Sequence, residues 1–236
     1  MLALKLGESL PSNSTSTAIS NSFSLEFNGT DEYVTVDNVA PNLEGTEGTL
    51  SIWVKIDTTT STRTMFQARV DSNNYVTLFY HAGSNELRFT YRAGGQSDVL
   101  ASTDAIEGDG NWHHVAATWS GSANDISLYL DGALQGDDSI SGTWAGSMVL
   151  CDIAQDTTGN KYFLGKITEV GVFTTVVPIG NLFDSDDYGP INLTGMAGLE
   201  GYWRFNEGSG DVADDSSGNG FEGNLINTPT WSHDTP

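Results

Sequence analysis

Short segments with alternating apolar and polar residues run through most of the sequence, and turn-forming residues separate them. Phe23, Leu25 and Phe27 alternate with polar residues and end at the pair Asn28-Gly29. Alternation with a period of two puts successive side chains on opposite faces of a β-strand, and Asn-Gly favours a tight turn. Similar segments follow at residues 33–36, 50–56, 65–70, 75–80, 87–92, 114–120, 126–130, 147–151, 161–165, 167–173 and 199–206. This pattern predicts an all-β fold, a two-sheet antiparallel sandwich.

Two of these segments, residues 51–54 and 170–173, are apolar on both faces. Strands of this kind lie in the middle of a sheet or beneath covering loops. The one helix candidate, Ile179 to Asp184 after Pro178, is at most two turns long. No linker divides residues 23–236, so we expect one domain there.

Residues 1–22 are predicted to form an extended N-terminal arm. Leu2, Leu4 and Leu6 alternate, and a polar segment follows from Pro11 to Thr17. The segment is either a flexible tail or an arm that adds a strand to a neighbouring subunit of an assembly. We read no signal peptide in it, because a basic start is missing and the apolar stretch ends at Gly7.

The charge of the chain excludes several partners. The 236 residues include 31 Asp and Glu but only nine Lys and Arg, so the formal net charge is −22 at pH 7. Nucleic acid requires a cationic surface, and an anionic membrane surface also attracts basic segments, so we expect neither partner. We also expect no membrane insertion, because no stretch approaches the ~20 apolar residues of a span. The acidic excess serves solubility in salt, holds a divalent cation, or does both.

Calcium is the cofactor that the acidic residues suggest. Asp215, Ser217, Asn219 and Gly220 occupy positions one, three, five and six of an oxygen-rich loop. Position twelve is Ile226, so the loop is not an EF-hand. The alternative is that these side chains accept hydrogen bonds from backbone amides of a glycine-rich turn.

Five segments together resemble the laminin-G-like jelly roll, a branch related to the concanavalin A-like lectins. They are residues 25–34, 48–55, 112–119 with 128–132, 163–170, and 201–210 with 215–220. The resemblance implies a two-sheet jelly roll, and relatives of this kind often hold calcium at a rim. Two features depart from the family pattern. Thr168 stands where the family usually has Asp, and the fifth segment, which often opens such domains, comes last and indicates a circular shift.

The sequence does not predict an enzyme. A retaining glycosidase needs two carboxylates about 5 Å apart, and Glu169 is alone on its predicted strand. His113 and His114 are neighbours on a strand and face opposite sides, so they do not chelate one metal. Cys151 lies in an apolar run, which predicts a buried side chain.

Two functions remain open from the sequence. The first is a non-catalytic structural or adhesion module of a larger assembly, namely a virion surface protein for capsid decoration or a tail. Its arm would contact other subunits, and glycans would bind at the rim. The alternative is a secreted or cell-surface, calcium-dependent carbohydrate-binding module. Its predicted ligand contacts are the side chains Tyr80, Tyr91, Arg92 and Trp144. Both functions place the chain on a virion or outside the cell.

Overall fold

The computed structural model describes residues 19–236 and has the predicted all-β architecture, two antiparallel sheets of eight strands each. The first sheet contains β1 (Ser24–Asn28), β3 (Glu47–Ile56), β8 (His113–Ser120), β9 (Asp125–Leu130), β10 (Ala133–Asp138), β12 (Leu164–Phe173), β13 (Leu199–Trp203) and β16 (Thr230–Ser232). The second contains β2 (Tyr33–Thr35), β4 (Arg63–Asp71), β5 (Asn74–His81), β6 (Glu86–Ala93), β7 (Gln96–Ala101), β11 (Leu150–Ile153), β14 (Val212–Ala213) and β15 (Gly223–Ile226).

The order of the strands joins both ends of the described chain to the same sandwich. The first sheet runs β10-β9-β8-β3-β12-β1-β16, with β13 also paired to β12. The second runs β14-β15-β2-β11-β4-β5-β6-β7. The last strands thus pair with the earliest ones, β16 with β1 and β15 with β2. The late position of the fifth family-like segment is therefore compatible with a single two-sheet sandwich.

The main core fills the space between the two sheets. Its largest buried side chains include Phe27, Phe66, Phe89 and Trp203. Cys151 lies among them, fully buried as predicted, and burial raises the pKa of its thiol. Apolar area removed from water contributes about 25 cal/mol per Å², so this layer is the main source of stability.

The first sheet is also covered on its outer side. Residues 174–198 run across it, and Val177, Leu182 and Leu193 pack on Phe173 and Tyr202. A second cluster beside them joins Trp53 of β3 to Trp112 and Phe183. The two-sided apolar character of residues 51–54 and 170–173 therefore has the predicted cause, which is a covering loop.

Several predicted boundaries were wrong. Residues 161–165 and 167–173 are not two strands, because Leu164–Phe173 is one strand with a bulge between Thr168 and Gly171. A bulge interrupts alternation, and here it places Glu169 at a φ of +52°. The predicted helix is a short 3-10 segment, Ile179–Asn181. Alternation also failed to find five strands, namely β7, β10, β14, β15 and β16, which are short or rich in polar residues.

The end of the predicted arm contacts the sandwich. The Asn21 side chain donates to Thr168 Oγ1 at 2.8 Å, and the backbone amide of Ser22 donates to Asn206 Oδ1 at 2.6 Å. Residues 1–18 lie outside the described residues, so docking of the arm on other subunits stays a prediction. Within residues 19–236, no helix has the length and apolarity that crossing a membrane requires.

Gly165 provides a test of the central strand pair. It has a φ of +133°, and a Cβ atom there would lie 2.2 Å from the carbonyl oxygen of Lys55 on β3. We expect Gly165→Ala to lower the free energy of unfolding by about 2 kcal/mol or more, since both the backbone conformation and the space exclude a side chain. Urea denaturation measures this change. Gly180→Ala is the control, because nothing lies within 4 Å of its Cβ position. Equal stabilities of the two variants would contradict the assigned register.

Candidate functional site

The outer face of the second sheet carries the candidate site. In the described chain, the two clusters outside the main core lie on the first sheet, which leaves β4 to β7 with an outer face of polar and aromatic side chains. We call this surface the outer-face site. It consists of Gln67, Arg69, Tyr75, Thr77, Phe79, Arg88, Thr90 and Arg92.

The floor of the outer-face site is a row of short polar side chains. Strand register aligns Gln67 with Thr77, and Thr77 with Thr90. Each is 6–8% exposed. They face away from the core but lie between longer neighbours, since residues two positions apart on one strand share a face. The floor therefore offers hydroxyl and amide groups at the bottom of a shallow surface.

Longer side chains rise on both sides of this floor. Arg69, Tyr75 and Arg92 are cross-strand neighbours on β4, β5 and β6, and we call them the arginine–tyrosine row. Phe79 and Arg88 are paired on the other side of the floor. All five side chains are half-buried. Directly opposed residues in a sheet have Cβ atoms about 5 Å apart, so the side chain of Tyr75 stands between those of Arg69 and Arg92.

The segment after β11 closes one end of the outer-face site. Thr157 donates from its backbone amide and its hydroxyl to Gln67 Oε1, at 3.0 and 2.7 Å. Gln155 donates to Asp152 at 2.9 Å. Burial, with a smaller contribution from the charge of Asp37, raises the pKa of Asp152 to about 6. The carboxyl group at this end is thus less acidic than an exposed aspartate.

The structure separates the four side chains that the sequence predicted as ligand contacts. Tyr80 is 3% exposed, packs in the core and donates its hydroxyl to Asn85 at 3.0 Å. Tyr91 is 1% exposed, and its hydroxyl donates to the carbonyl of Gly45 at 2.9 Å. Only Arg92 belongs to the outer-face site. Tyr80 and Tyr91 point into the sandwich because each alternates with an outward neighbour, Phe79 or Arg92.

Trp144 marks a different cleft at the rim. Its ring lies 5.6 Å from that of Tyr91, and its indole donates to the carbonyl of Gly146. The cleft measures about 430 Å³, and Thr46, Glu47, Ser122 and Asn124 are among its lining residues. Tyr91 and Trp144 both line this cleft, whereas Arg92 faces the opposite side of its strand.

The predicted calcium loop serves the backbone. Asp215 Oδ1 accepts the amides of Tyr202 and Ser217, and Oδ2 accepts the amide of Phe221 and the Ser217 hydroxyl. The Asn219 amide donates to the carbonyls of Leu199 and Glu200. Four donors thus occupy the carboxylate that a cation would need. No cluster of three or more His, Cys, Asp or Glu suited to a metal occurs within residues 19–236. These residues fit backbone support and not a calcium cage, and calcium binding stays a prediction.

The two histidines face opposite sides of β8, as predicted. His113 lies between Asp131 at 2.7 Å and Asp109 at 2.9 Å. Burial alone would lower the pKa of His113, but the hydrogen bonds to the two carboxylates outweigh it and raise the pKa. His114 is fully buried against Ser51 at 2.9 Å, and burial lowers its pKa to about 4.

Glu169 is held as a structural carboxylate. It is 2% exposed, accepts the hydroxyl of Tyr202 and pairs with Arg204 Nε at 3.0 Å. Burial raises the pKa of Glu169. Both oxygens of Glu169 have hydrogen-bond partners, so this carboxylate links β12 to Tyr202 and Arg204.

Sequence reasoning missed Tyr75 and Arg69. Alternation along residues 75–80 contained the signal, because Val76, Leu78 and Tyr80 form the apolar set and Tyr75 falls on the other face. Their proximity to Arg92 had no signal in the sequence, since it depends on the pairing register of three strands.

One protein family matches the chain in sequence. It is described as the concanavalin A-like lectin/glucanases superfamily, a laminin-G-like group, and the match covers residues 28–178. None of the curated proteins matches the chain.

Solved structures with the same fold include carbohydrate-binding proteins. A putative carbohydrate binding protein from Bacteroides ovatus has a TM-score of 0.66 and 16% identity, covering 91% of this chain and 60% of its own. The CBM40 module of a Ruminococcus gnavus IT-sialidase has a TM-score of 0.55 and 14% identity, covering 68% and 97%. Domain 4 of a Geobacillus stearothermophilus extracellular GH43 arabinanase, solved with arabinotriose, has a TM-score of 0.51 and 16% identity, covering 61% and 66%. The chain thus spans 60% of the length of the Bacteroides protein.

Asp152 gives the outer-face site a pH signature. The pKa of Asp152 is about 6 in the folded state and about 3.9 in the unfolded state, so the folded state favours the protonated carboxyl group. The stability that this group contributes is therefore present at low pH and is lost as the pH rises from about 4 through 6. We expect Asp152→Asn to match the wild type near pH 4 and to be more stable at pH 7, by on the order of 2 kcal/mol. Urea denaturation at both pH values measures this difference. Asp104→Asn, in an exposed turn, is the control; a pH-independent difference for Asp152→Asn would contradict the assignment.

Asp215 tests backbone support against calcium binding. Asp215→Ala removes the acceptor of four donors, so we expect a loss of about 2 kcal/mol or more, equal in calcium and in EDTA. Asp214→Ala, the exposed neighbour, should change stability by less than about 0.5 kcal/mol. Thermal melting in both buffers measures the effect. A melting temperature of the wild type that rises with calcium, but not in Asp215→Ala, would restore the calcium site.

Proposed function

We propose that this chain is a non-catalytic module that binds glycans on the outer-face site. The premise is that the chain belongs to the concanavalin A-like lectin/glucanase superfamily. The observation that carries this proposal is the half-buried ring of Tyr75 beside a polar floor, on a sheet face that no apolar cluster of the described residues covers.

This combination suits a sugar. The C–H face of a pyranose ring packs against an aromatic ring, and its hydroxyl groups require hydrogen-bond donors and acceptors at the same place. Tyr75 supplies the ring and Thr77, Thr90 and Gln67 supply polar groups nearby. Binding would need little rearrangement, because strands hold all of these side chains.

The similar structures support the same class of ligand. The CBM40 module comes from a sialidase, and the arabinanase domain was solved with arabinotriose. Their identity to this chain is 14–16%, so they support the proposal through the shared fold alone.

The proposal assigns no reaction to the chain. Glu169, the carboxylate that the sequence singled out on a strand, is buried with both oxygens engaged, so it is poorly placed for acid–base work. A glycan-binding module fits an extracellular location. Incorporation into a virus particle through residues 1–22 stays a prediction, because those residues lie mostly outside the described range.

Tyr75 provides the test. We expect the wild type to bind defined members of a glycan array, and Tyr75→Ala to lose at least tenfold in affinity for the best of them, measured by titration calorimetry. Tyr75→Phe keeps the ring and should retain most of the affinity. Trp144→Ala serves as the matched control at the rim cleft and should bind like the wild type. An array without hits would refute the proposal, and loss of binding in Trp144→Ala alone would move the site to the rim.

A further inference from the structure

The outer-face site concentrates positive charge in a strongly acidic protein. The chain has only nine Lys and Arg against 31 Asp and Glu, yet Arg69, Arg88 and Arg92 all lie on this face. These three arginines therefore make this face less acidic than the surface as a whole.

The three arginines differ in how their charge is neutralised. Arg88 forms an ion pair with Glu86 on its own strand, at 2.8 Å. Arg92 instead donates from Nη1 to the hydroxyl of Ser97 at 2.8 Å, and Arg69 donates from Nη1 to the hydroxyl of Thr157 at 3.2 Å. Within residues 19–236, neither Arg69 nor Arg92 forms an ion pair.

These hydroxyl contacts orient the guanidinium groups without neutralising them. The Nε atoms of Arg69 and Arg92 are shielded from solvent and have no acceptor among the described residues. A guanidinium presents five donors in a planar fork that matches a carboxylate. Each guanidinium donates to one hydroxyl group among the described residues, and the strands that carry the two arginines lie about 10 Å apart, on either side of the strand of Tyr75.

Arg92 is the less compensated of the two. Asp71, at the end of β4, is close enough to Arg69 for that charge to contribute to lowering the Asp71 pKa, after hydrogen bonds from Asn73 and Asn74. Arg92 lies beside the short polar strand β7, whose nearest side chain in register is Ser97. Of the two, Arg92 is thus the arginine whose charge the described acidic residues compensate less.

We infer that the glycan bound on the outer-face site is acidic: its ring packs on Tyr75 and its carboxylate accepts hydrogen bonds from the guanidinium of Arg92, with Arg69 contributing from the other side. This inference rests on the proposed function and specifies its ligand class. The carboxylate belongs to a uronic acid or to a sialic acid, which share the same planar, singly charged group.

Titration calorimetry with paired probes tests the inference. The uronate pair is trigalacturonate and its methyl ester, and the sialate pair is 3′-sialyllactose and lactose. We expect at least one acidic probe to bind tenfold or more tightly than its neutral partner, and the pair that shows this preference identifies the source of the carboxylate. Raising the salt concentration should weaken the preference, because it depends on charge.

Variants assign the preference to residues. Arg92→Gln should abolish the preference for the acidic probe, and Arg69→Gln should reduce this preference about threefold. Lys161→Gln removes the same charge from an exposed position outside the outer-face site, so it should behave like the wild type. Thermal melting of each variant shows whether it is folded.

The outcomes separate this inference from the proposed function. Equal binding of acidic and neutral probes, with both lost in Tyr75→Ala, overturns the acidic ligand and leaves the glycan-binding function intact. A preference that Arg92→Gln retains also overturns it. No binding of any of the four probes overturns the acidic ligand, and an array without hits overturns glycan binding as well.

Discussion

Burial of the first sheet on both faces is the constraint on which the rest of the structure depends. Strands β3 and β12 lie side by side near its middle and carry apolar residues on both sides. One side packs in the sandwich core, and residues 174–198 cover the other. An uncovered apolar face would expose Trp53, Phe173 and Tyr202 to water, so the long connection between β12 and β13 is a structural layer.

This arrangement makes the two sheets unequal. Within residues 19–236, apolar clusters lie on both faces of the first sheet, while the second keeps a half-exposed outer face from β4 to β7. Polar and aromatic side chains there need no covering layer, because water or a ligand can satisfy them. The loop after β11 covers only one end, through Gln155 and Thr157. The site is therefore the part of the sandwich that the covering segments leave open.

Positively charged side chains distinguish the outer-face site from the rest of the acidic surface. A net charge of −22 repels anions from most of the surface, and exposed charges more than about 10 Å apart are largely screened at moderate salt. Recognition of an anion must then come from donors at contact distance. The arginine–tyrosine row has this property, since hydroxyl groups of Thr157 and Ser97 hold Arg69 and Arg92 in place of carboxylates.

Much of the fold was predictable from local pattern, and the exceptions have physical reasons. Alternation identified most long strands and the sandwich itself. It ended one strand at Gly165 and began another at Ile167, whereas β12 continues through Gly165, whose φ of +133° favours glycine. It did not find β10 or β7, whose residues are polar at an edge, where burial does not enforce alternation. Of the predicted ligand contacts on strands, Arg92 faces outward, whereas Tyr80 and Tyr91 face the core, where their own alternation places them.

The sequence by itself determined the all-β class, the face on which most strand residues lie and the burial of Cys151, because these follow from a period of two and from apolar area. Only the tertiary structure decided which sheet face stays open and which side chains meet on it. Arg69, Tyr75 and Arg92 are separated along the chain and become neighbours through the register of β4, β5 and β6. Likewise, Asp215 has the spacing of a calcium ligand in the sequence. In the fold, its carboxylate accepts hydrogen bonds from three backbone amides.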